Sequence, residues 1–140
     1  LNDGKTQFVA GEMNREKLFE EGDVFVFPHK FDGLSLPIQE AMAAGMPIIT
    51  TDFFPHNEYL PKELLFKDDG VGKARLCEDC REIDMCYIYP RILADKIEEV
   101  ADMDLTPFSL LMNKKAEEWS WNKMLPKYKE LIEKTIKNEL

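Results

Sequence analysis

The sequence lacks a long apolar run, and it is poor in cysteine, histidine and glycine. No stretch approaches the roughly 20 apolar residues that a membrane-spanning helix requires. No pattern typical of a secretory signal peptide is present either, and we therefore expect a cytoplasmic location. There are no internal repeats and no low-complexity linkers, so the sequence predicts an ordinary folded domain rather than a fibrous, disordered or membrane protein.

Positive charge is also in short supply, with 18 Lys and Arg against 27 Asp and Glu and a net charge of −9. A nucleic-acid backbone would meet a repelling field, which argues against DNA or RNA as a partner. A nucleotide ligand stays compatible with this charge, because backbone N–H groups bind a phosphate locally.

The three cysteines, Cys77, Cys80 and Cys86, lie close together in sequence. A zinc site is one interpretation, but it needs a fourth ligand, which a nearby aspartate would have to supply. The only two histidines, His29 and His56, lie elsewhere in the chain. A Cys77–Cys80 disulfide is a second interpretation. Reduced thiols are the interpretation we favour for a cytosolic protein.

Two apolar runs, Val24–Phe27 and Ile48–Thr51, are separated by one loop and one helical pattern. This spacing predicts adjacent parallel strands joined by a right-handed crossover, and hence an α/β fold with a Rossmann-like sheet. Ligands of such sheets bind beyond the carboxyl ends of the strands. The 140 residues suffice for one domain with a sizeable core.

The remaining segments complete this α/β pattern. Residues 1–66 are predicted to form the strand–helix units, residues 67–89 a surface insertion with the cysteines, and residues 90–140 the C-terminal helices. Within these segments we predict a strand at Gln7–Gly11, a helix at Arg15–Glu21, a final strand at Leu64–Phe66, and helices from Pro90, over Pro107–Trp119 and over Trp121–Ile136. Trp119 and Trp121 are interpreted as packing anchors.

The most informative segment is residues 32–47, a tight loop followed by a short helix. Gly33 and Ser35 allow close backbone approach to a ligand, and Pro37 suits the first helical turn. Gly45 then marks the helix end. The free N–H groups and positive dipole at the start of this helix predict a phosphate or pyrophosphate site.

Two carboxylates, Asp32 and Glu40, flank that predicted anion site. A carboxylate does not bind a phosphate, but it accepts hydrogen bonds from hydroxyl groups of a sugar or ribose. The residues therefore predict a pocket for a nucleotide-sugar. Solvated acids beside an ordinary strand–loop–helix unit are the alternative.

The segments Val24–Pro28, Asp32–Pro37, Glu40–Gly45 and Pro47–Asp52 together resemble the donor-binding, C-terminal domain of retaining GT-B glycosyltransferases of family 4, or group 1. That family carries two acidic residues with seven others between them, and Asp32 and Glu40 have this spacing. The resemblance implies the C-terminal half of a GT-B fold. It also implies transfer of a sugar from a UDP-, GDP- or ADP-sugar with retention of configuration.

The resemblance assigns roles to individual residues. Asp32 would contact the donor sugar as the catalytic carboxylate, and Glu40 would hold the ribose hydroxyls. The donor-binding residues would be Gly33, Leu34, Ser35 and Leu36, with the N–H groups of Ser35 and Leu36 facing the diphosphate, together with His29 and Lys30. His56 and Glu58 are further candidates for contact with the donor. No metal or other cofactor would be required.

The resemblance also implies what lies outside these 140 residues. A GT-B donor domain normally has further strand–helix units carrying an Arg–Lys pair, and a separate acceptor domain. We therefore expect a partial domain, inactive alone, that works with a missing N-terminal domain of the same protein or pairs with a second copy. The acceptor would be a glycan, lipid or protein, with contact to a membrane surface as one setting. A non-catalytic nucleotide-sugar-binding remnant and a sugar-nucleotide epimerase are the alternative functions.

Overall fold

The computed structural model describes residues 14, 17–67, 70–75, 77–78 and 80–137. In chain order its elements are β1 (Phe25–Phe27), α1 (Leu36–Ala43), β2 (Ile48–Thr51), β3 (Leu65–Phe66), β4 (Val71–Ala74), β5 (Ile83–Cys86), α2 (Pro90–Ala101), α3 (Thr106–Glu118) and α4 (Trp121–Ile136). Two short 3-10 turns, His56–Glu58 and Lys62–Leu64, lie between β2 and β3.

The main sheet of the described residues has the strand order β1-β2-β3, and both pairings are parallel. Phe25 pairs with Ile48, and Thr50 pairs with Leu65. The α/β class, the parallel direction and the adjacency of the two apolar runs are thereby confirmed. Parallel strands bury both faces, and all four residues of β2 are buried.

Alternate residues of β2 face two separate clusters of core side chains. Ile48 lies with α1 and α3 residues on one face of the sheet, and Ile49 lies with an α2 residue on the other. The first cluster comprises Ile38, Ala41, Met42, Met46, Ile48, Leu60, Leu65 and Met112; the second comprises Ile49, Leu64, Phe66 and Val100. The sheet is thus covered by helices on both faces.

Helix α1 begins and ends at backbone positions with positive φ. Ser35 precedes the helix with φ 32° and ψ 88°, and Gly45 follows it with φ 74°. Pro37 lies in the first turn, where its missing N–H costs nothing. Because β1 and β2 are parallel, α1 connects the carboxyl end of β1 with the amino end of β2. The start of α1 therefore lies on the side of the carboxyl end of β1.

A series of aromatic and imidazole rings connects the sheet edge with the C-terminal helices. The ring centroids of His29 and His56 lie 4.7 Å apart, those of His56 and Tyr59 5.7 Å, and those of Tyr59 and Trp119 4.9 Å. Trp119 therefore packs as predicted for an anchor, whereas Trp121 contacts Tyr128 within α4.

The segment expected to form a surface insertion contains an antiparallel hairpin, β4 with β5, whose residues are exposed or half-buried except for Cys86. Strand pairing supplies its stability, together with exposed ion pairs of Lys73 with Asp84 and Arg75 with Glu82. The expectation that Leu64–Phe66 is the final strand was therefore wrong. The second strand of the hairpin also contacts the loop after β1, since the Cys86 N–H donates to the Lys30 carbonyl over 2.8 Å.

The cysteines depart from the favoured interpretation of reduced thiols. Cys77 and Cys80 form a disulfide in the connection between β4 and β5, and Cys86 is a free, buried thiol. Sulfurs joined in a disulfide do not serve as metal ligands, so the three cysteines do not form a zinc site in this structure.

Two expectations concern the N-terminal region. Lys17 is in 3-10 conformation and residues 18–21 form a turn and bends, rather than the end of the expected helix Arg15–Glu21. The expected strand Gln7–Gly11 lies outside the described residues. The helices from Pro90, from the Pro107 region and from Trp121 are confirmed. Within the described part of the chain, none of the helices has the length and apolarity needed to cross a bilayer.

Candidate functional site

Three side chains with metal-ligating or acid–base chemistry meet at the carboxyl edge of the main sheet. His29 and Asp32 lie in the loop that follows β1, and His56 lies in the turn that follows β2. One ligand atom from each residue lies within 4.8 Å of the other two. Because β1 and β2 are parallel neighbours, their carboxyl ends coincide, and residues 27 positions apart become neighbours.

The tautomer of His29 follows from its hydrogen bonds to Thr51. The Thr51 hydroxyl donates to the His29 carbonyl over 2.8 Å, and the same Oγ1 lies 2.7 Å from the ring Nδ1. A hydroxyl has a single hydrogen, so Nδ1–H must be the donor to Oγ1 in the second contact. In neutral His29 the proton is then on Nδ1, and Nε2 has a free lone pair. Nε2 is buried and has no hydrogen-bond partner.

His56 is completely buried and links Tyr59 to Asp32. Its Nδ1 lies 2.5 Å from the Tyr59 hydroxyl, and its Nε2 lies 3.4 Å from Oδ2 of Asp32. Burial, and secondarily the charge of Asp32, raises the pKa of Tyr59 to about 12. Tyr59 therefore keeps its proton at neutral pH and is able to donate it to the imidazole.

Both imidazoles are neutral near pH 7. Burial lowers the pKa of His29 below its ordinary value of 6.5, and the neighbouring His56 lowers it further. Burial also lowers the pKa of His56, although hydrogen bonding and attraction to Asp32 oppose that shift. With Tyr59 donating to Nδ1 of His56, the Nε2 proton of that ring is directed to Asp32, so the hydrogen-bond acceptors of the cluster are the Asp32 carboxylate and Nε2 of His29.

Asp32 stays ionised in this environment. Burial acts to raise the pKa of its carboxyl, but the Ser35 hydroxyl, the Gly33 N–H and His56 outweigh that effect and lower the pKa. The Gly33 N–H donates to Oδ1 over 2.7 Å. The Ser35 contribution acts at longer range than a normal hydrogen bond, because Ser35 Oγ has no partner at hydrogen-bond distance.

The start of α1 lies directly after Asp32 and presents unpaired backbone N–H groups at the edge of the site. The Gln39 N–H donates to the Ser35 carbonyl, which leaves the N–H groups of Ser35, Leu36 and Ile38 without partners inside the helix. The Gln39 side chain donates to the Leu34 carbonyl over 2.6 Å and holds the loop in place. The positive φ of Ser35 turns the chain into the helix at this point.

A groove of about 650 Å³ opens beside Asp32. Its walls come from three segments, namely the loop after β1, the loop after β2 and the hairpin. The lining residues are Phe31, Asp32, Gly33, Phe53, Phe54, Val71, Ile83 and Asp84. A larger cavity of about 920 Å³ lies near Val24 and Pro47, at the amino ends of the strands, where ligands of parallel sheets do not ordinarily bind.

The hairpin is attached to this site through Cys86. Its thiol donates to the His29 carbonyl over 3.1 Å, in addition to the backbone bond from Cys86 to Lys30. The His29 carbonyl thus accepts from both Thr51 and Cys86. The backbone at His29 is therefore held by hydrogen bonds from both Thr51 and Cys86.

The predicted site residues separate into two groups. His29, Asp32 and His56 are brought together, and Gly33, Leu34, Ser35 and Leu36 form the turn into α1, as expected from the loop–helix pattern. Glu40 lies half-buried in α1, one turn beyond that start. Lys30 and Glu58 are exposed, and none of the contacts described above involves either side chain.

Sequence reasoning missed Thr51 and Tyr59, which fix the two imidazoles, and it missed the hairpin wall. A signal existed for the first two. Thr51 ends a buried strand at the ligand edge, and Tyr59 follows His56 by three residues, the spacing at which side chains of a helical turn meet. The hairpin residues offered none, because their sequence has no apolar run.

Fold and site together define a parallel α/β domain with two imidazoles, a carboxylate and a helix N-terminus at the carboxyl edge of its sheet. A family model for group 1 glycosyl transferases matches residues 3–78, over half of the chain. The chain belongs to the group 1 glycosyl transferases, and its role is glycosyl transfer. Comparison with curated proteins and with solved structures gave no match. The matched residues include β1 to β4, α1 and the entire cluster of His29, Asp32 and His56.

Proposed function

We propose that this domain binds the nucleotide-sugar donor in a glycosyl transfer that retains the configuration of the sugar. The observation that carries the proposal is the ionised Asp32 carboxylate at the start of α1, at the carboxyl edge of the sheet. An anion-accepting helix end and a hydroxyl-accepting carboxylate, side by side, suit the diphosphate and the sugar of one UDP-, GDP- or ADP-sugar.

The diphosphate would bind the N–H groups of Ser35 and Leu36. These groups have no partner inside the helix, and the helix dipole favours negative charge at this end. Such binding needs no net positive charge, which suits a chain with a charge of −9. An exposed lysine, Lys30, supplies a cation in the same loop.

The sugar would bind in the groove beside Asp32. Its hydroxyls would donate to the Asp32 carboxylate, which lines this groove. Glu40, one turn into α1, would accept from the ribose hydroxyls.

The proposed chemistry is electrostatic. As the bond between sugar and diphosphate breaks, the sugar gains positive charge and the leaving diphosphate gains negative charge. The N–H groups at the start of α1 would stabilise the diphosphate, and Asp32 would orient the sugar. We therefore expect transfer to continue in EDTA. We also expect these 140 residues alone to show no transfer, because the acceptor side is proposed to lie on another part of the protein.

The test compares Asp32→Asn with Glu40→Gln in the full-length protein. Asp32→Asn should lower kcat about 100-fold or more, as removal of one electrostatic group does at other sites, while nucleoside diphosphate affinity stays within about threefold. Glu40→Gln should weaken nucleoside diphosphate binding at least about tenfold, the effect of losing one charged hydrogen bond. Asp52→Asn, which changes an exposed acid after β2, is the matched control.

Equal turnover of the Asp32→Asn variant and the wild type would contradict the proposed role of the carboxylate. Unchanged nucleotide affinity in Glu40→Gln would remove the ribose contact. A product of inverted configuration, followed by NMR of the anomeric proton, would contradict retention.

A further inference from the structure

We propose that His29, Asp32 and His56 form a binding site for one divalent transition-metal ion of the zinc class. The ligand atoms would be Nε2 of each imidazole and one carboxylate oxygen of Asp32. Two imidazoles and a carboxylate are a common ligand set for such ions, and they leave a coordination position open to water or a substrate oxygen.

The geometry of the three ligand atoms carries the proposal. Zinc bonds of about 2.0–2.1 Å at tetrahedral angles place neighbouring ligand atoms about 3.3 Å apart. The separation of His56 Nε2 from Asp32 Oδ2 is 3.4 Å, which already matches that edge. One ligand atom of each of the three residues lies within 4.8 Å of the other two, so the remaining edges close with movements of at most about 1.5 Å. Within the described part of the chain, these three residues are the group that could hold a metal ion.

The protonation state of His29 is the second observation. The Thr51 hydroxyl fixes the proton on Nδ1 and leaves the Nε2 lone pair buried and unpartnered. A metal ion is a Lewis acid that would satisfy this lone pair, and an outer hydrogen bond from the opposite ring nitrogen is the usual support of a metal-binding histidine.

His56 also has a hydrogen-bond partner at the ring nitrogen opposite the one proposed to bind the metal. Its Nδ1 faces the Tyr59 hydroxyl, which is able either to donate to this nitrogen or to accept from it. Without metal, the proton on Nε2 would be directed to Asp32. With metal, the proton would move to Nδ1 and bond to the Tyr59 oxygen, while Nε2 binds the ion. No proton is released in this exchange, since the neutral ring only changes tautomer.

The metal site uses the carboxylate that we propose for the donor sugar. In this respect it rests on the proposed function: a bound ion would take the Asp32 oxygen and exclude the sugar, so added zinc should inhibit transfer while EDTA should not. Metal binding itself is independent of the proposal for the donor, because it is measured with no donor present.

The test is a titration of the oxidised, chelator-treated full-length protein with Co²⁺ and then Zn²⁺. We expect one Co²⁺ per chain, a visible d–d spectrum typical of four-coordinate cobalt without a sulfur charge-transfer band, and displacement by Zn²⁺. His56→Gln and Asp32→Asn should each weaken the affinity about 100-fold or more, because ligands contribute more than outer-shell partners, whose loss costs about 10–100-fold. Asp52→Asn is the control, and it should bind the ion as the wild type does.

If a variant fails to fold, a second measurement on the wild type still tests the proposal. These 140 residues contain two histidines, so with segmental ¹⁵N labelling of this part of the full-length protein a long-range ¹H–¹⁵N spectrum contains the signals of His29 and His56 alone. Zinc should shift both Nε2 signals with a one-to-one stoichiometry. The proposal is overturned if neither nitrogen shifts at millimolar zinc, or if cobalt binding persists unchanged in both ligand variants. Intact metal binding without inhibition by zinc would uphold the site and contradict only the role of Asp32 toward the donor.

Discussion

Replacement of Thr51 by valine tests how the structure holds the imidazole of His29 in place. Valine keeps the shape of threonine but lacks the hydroxyl that bonds to both the ring and the carbonyl of His29. The Nδ1–H of a ring that is only 6% exposed would then lose its partner. An unsatisfied buried donor costs about 1–3 kcal/mol, and we expect the free energy of unfolding to fall by about 2 kcal/mol. Loss of the Thr51 hydrogen bond to the His29 carbonyl should cost less, because Cys86 still donates to this oxygen.

This change in free energy corresponds to a measurable shift in melting temperature. An unfolding entropy of about 2.1 cal/mol/K per residue gives about 0.3 kcal/mol/K for this chain, so Tm should fall by about 7 °C. Thr51→Ser is the matched control. It keeps the hydroxyl and loses one methyl group, which should cost about 0.8 kcal/mol. Calorimetry with Thr51→Val, Thr51→Ser and the wild type measures the difference.

The tautomer of His29 gives an independent readout. In the wild type and in Thr51→Ser, the ¹⁵N spectrum should show a protonated Nδ1 and an unprotonated Nε2 for His29. In Thr51→Val this preference should weaken. A wild-type His29 protonated on Nε2, or a valine variant at least as stable as the serine variant, would refute the argument from the single hydroxyl hydrogen.

Two further predictions concern pH and the end of α1. In metal-free buffer, the folded-state pKa values of His29 and His56 lie below the ordinary 6.5, so the unfolded chain binds more protons in the window beneath pH 6.5. Stability should be fully present above about pH 6.5 and be lost as the pH falls through the lowered pKa values; urea titrations from pH 7.5 to 5 measure this slope, which His56→Gln should flatten. Gly45→Ala should destabilise the fold by about 1–2 kcal/mol, because φ is +74° and the new methyl would lie 2.6 Å from the Asn113 amide. Adding Asn113→Ala should restore only the part of the lost free energy of unfolding that comes from the steric contact. If urea unfolding shows the double variant to be as stable as the wild type, the positive φ of residue 45 costs alanine nothing.

The main sheet was predictable because its strands are apolar on both faces. The runs at Val24–Phe27 and Ile48–Thr51 are short and apolar, as is typical of strands in a parallel sheet, and the Gly and Pro positions between them limit α1 to a short helix. Helix Trp121–Ile136 was predicted with its observed bounds. These features depend on local composition, which a single sequence contains.

The hairpin and the cysteine pairing were not predictable for the opposite reason. Strand β4 consists of Val71, Gly72, Lys73 and Ala74, and it becomes a strand only because β5 pairs with it. Such pairing depends on contacts between strands rather than on the preferences of either segment. The spacing of Cys77 and Cys80 permitted a thiol pair, a metal site or a disulfide, and spacing alone does not choose among them.

The candidate site was predictable in its parts but not in its arrangement. The loop–helix pattern identified Asp32 and the start of α1, and the rule for parallel sheets placed His29 and His56 at the same edge. Their convergence within 4.8 Å depends on the register of β1 with β2 and on the turn at His56–Glu58. The proton position on His29 depends on one hydroxyl whose two contacts appear only in three dimensions.

The ring series from His29 through His56 and Tyr59 to Trp119 has a spectroscopic consequence. One of the two tryptophans of the chain contacts Tyr59, which bonds to an imidazole of the site, while the other, Trp121, is 75% exposed. The emission of Trp119 should therefore respond to any event that protonates, displaces or occupies His56. With Trp121→Phe, Trp119 would be the single tryptophan of these 140 residues, and its emission would report occupancy of the neighbouring ligand site without an attached label.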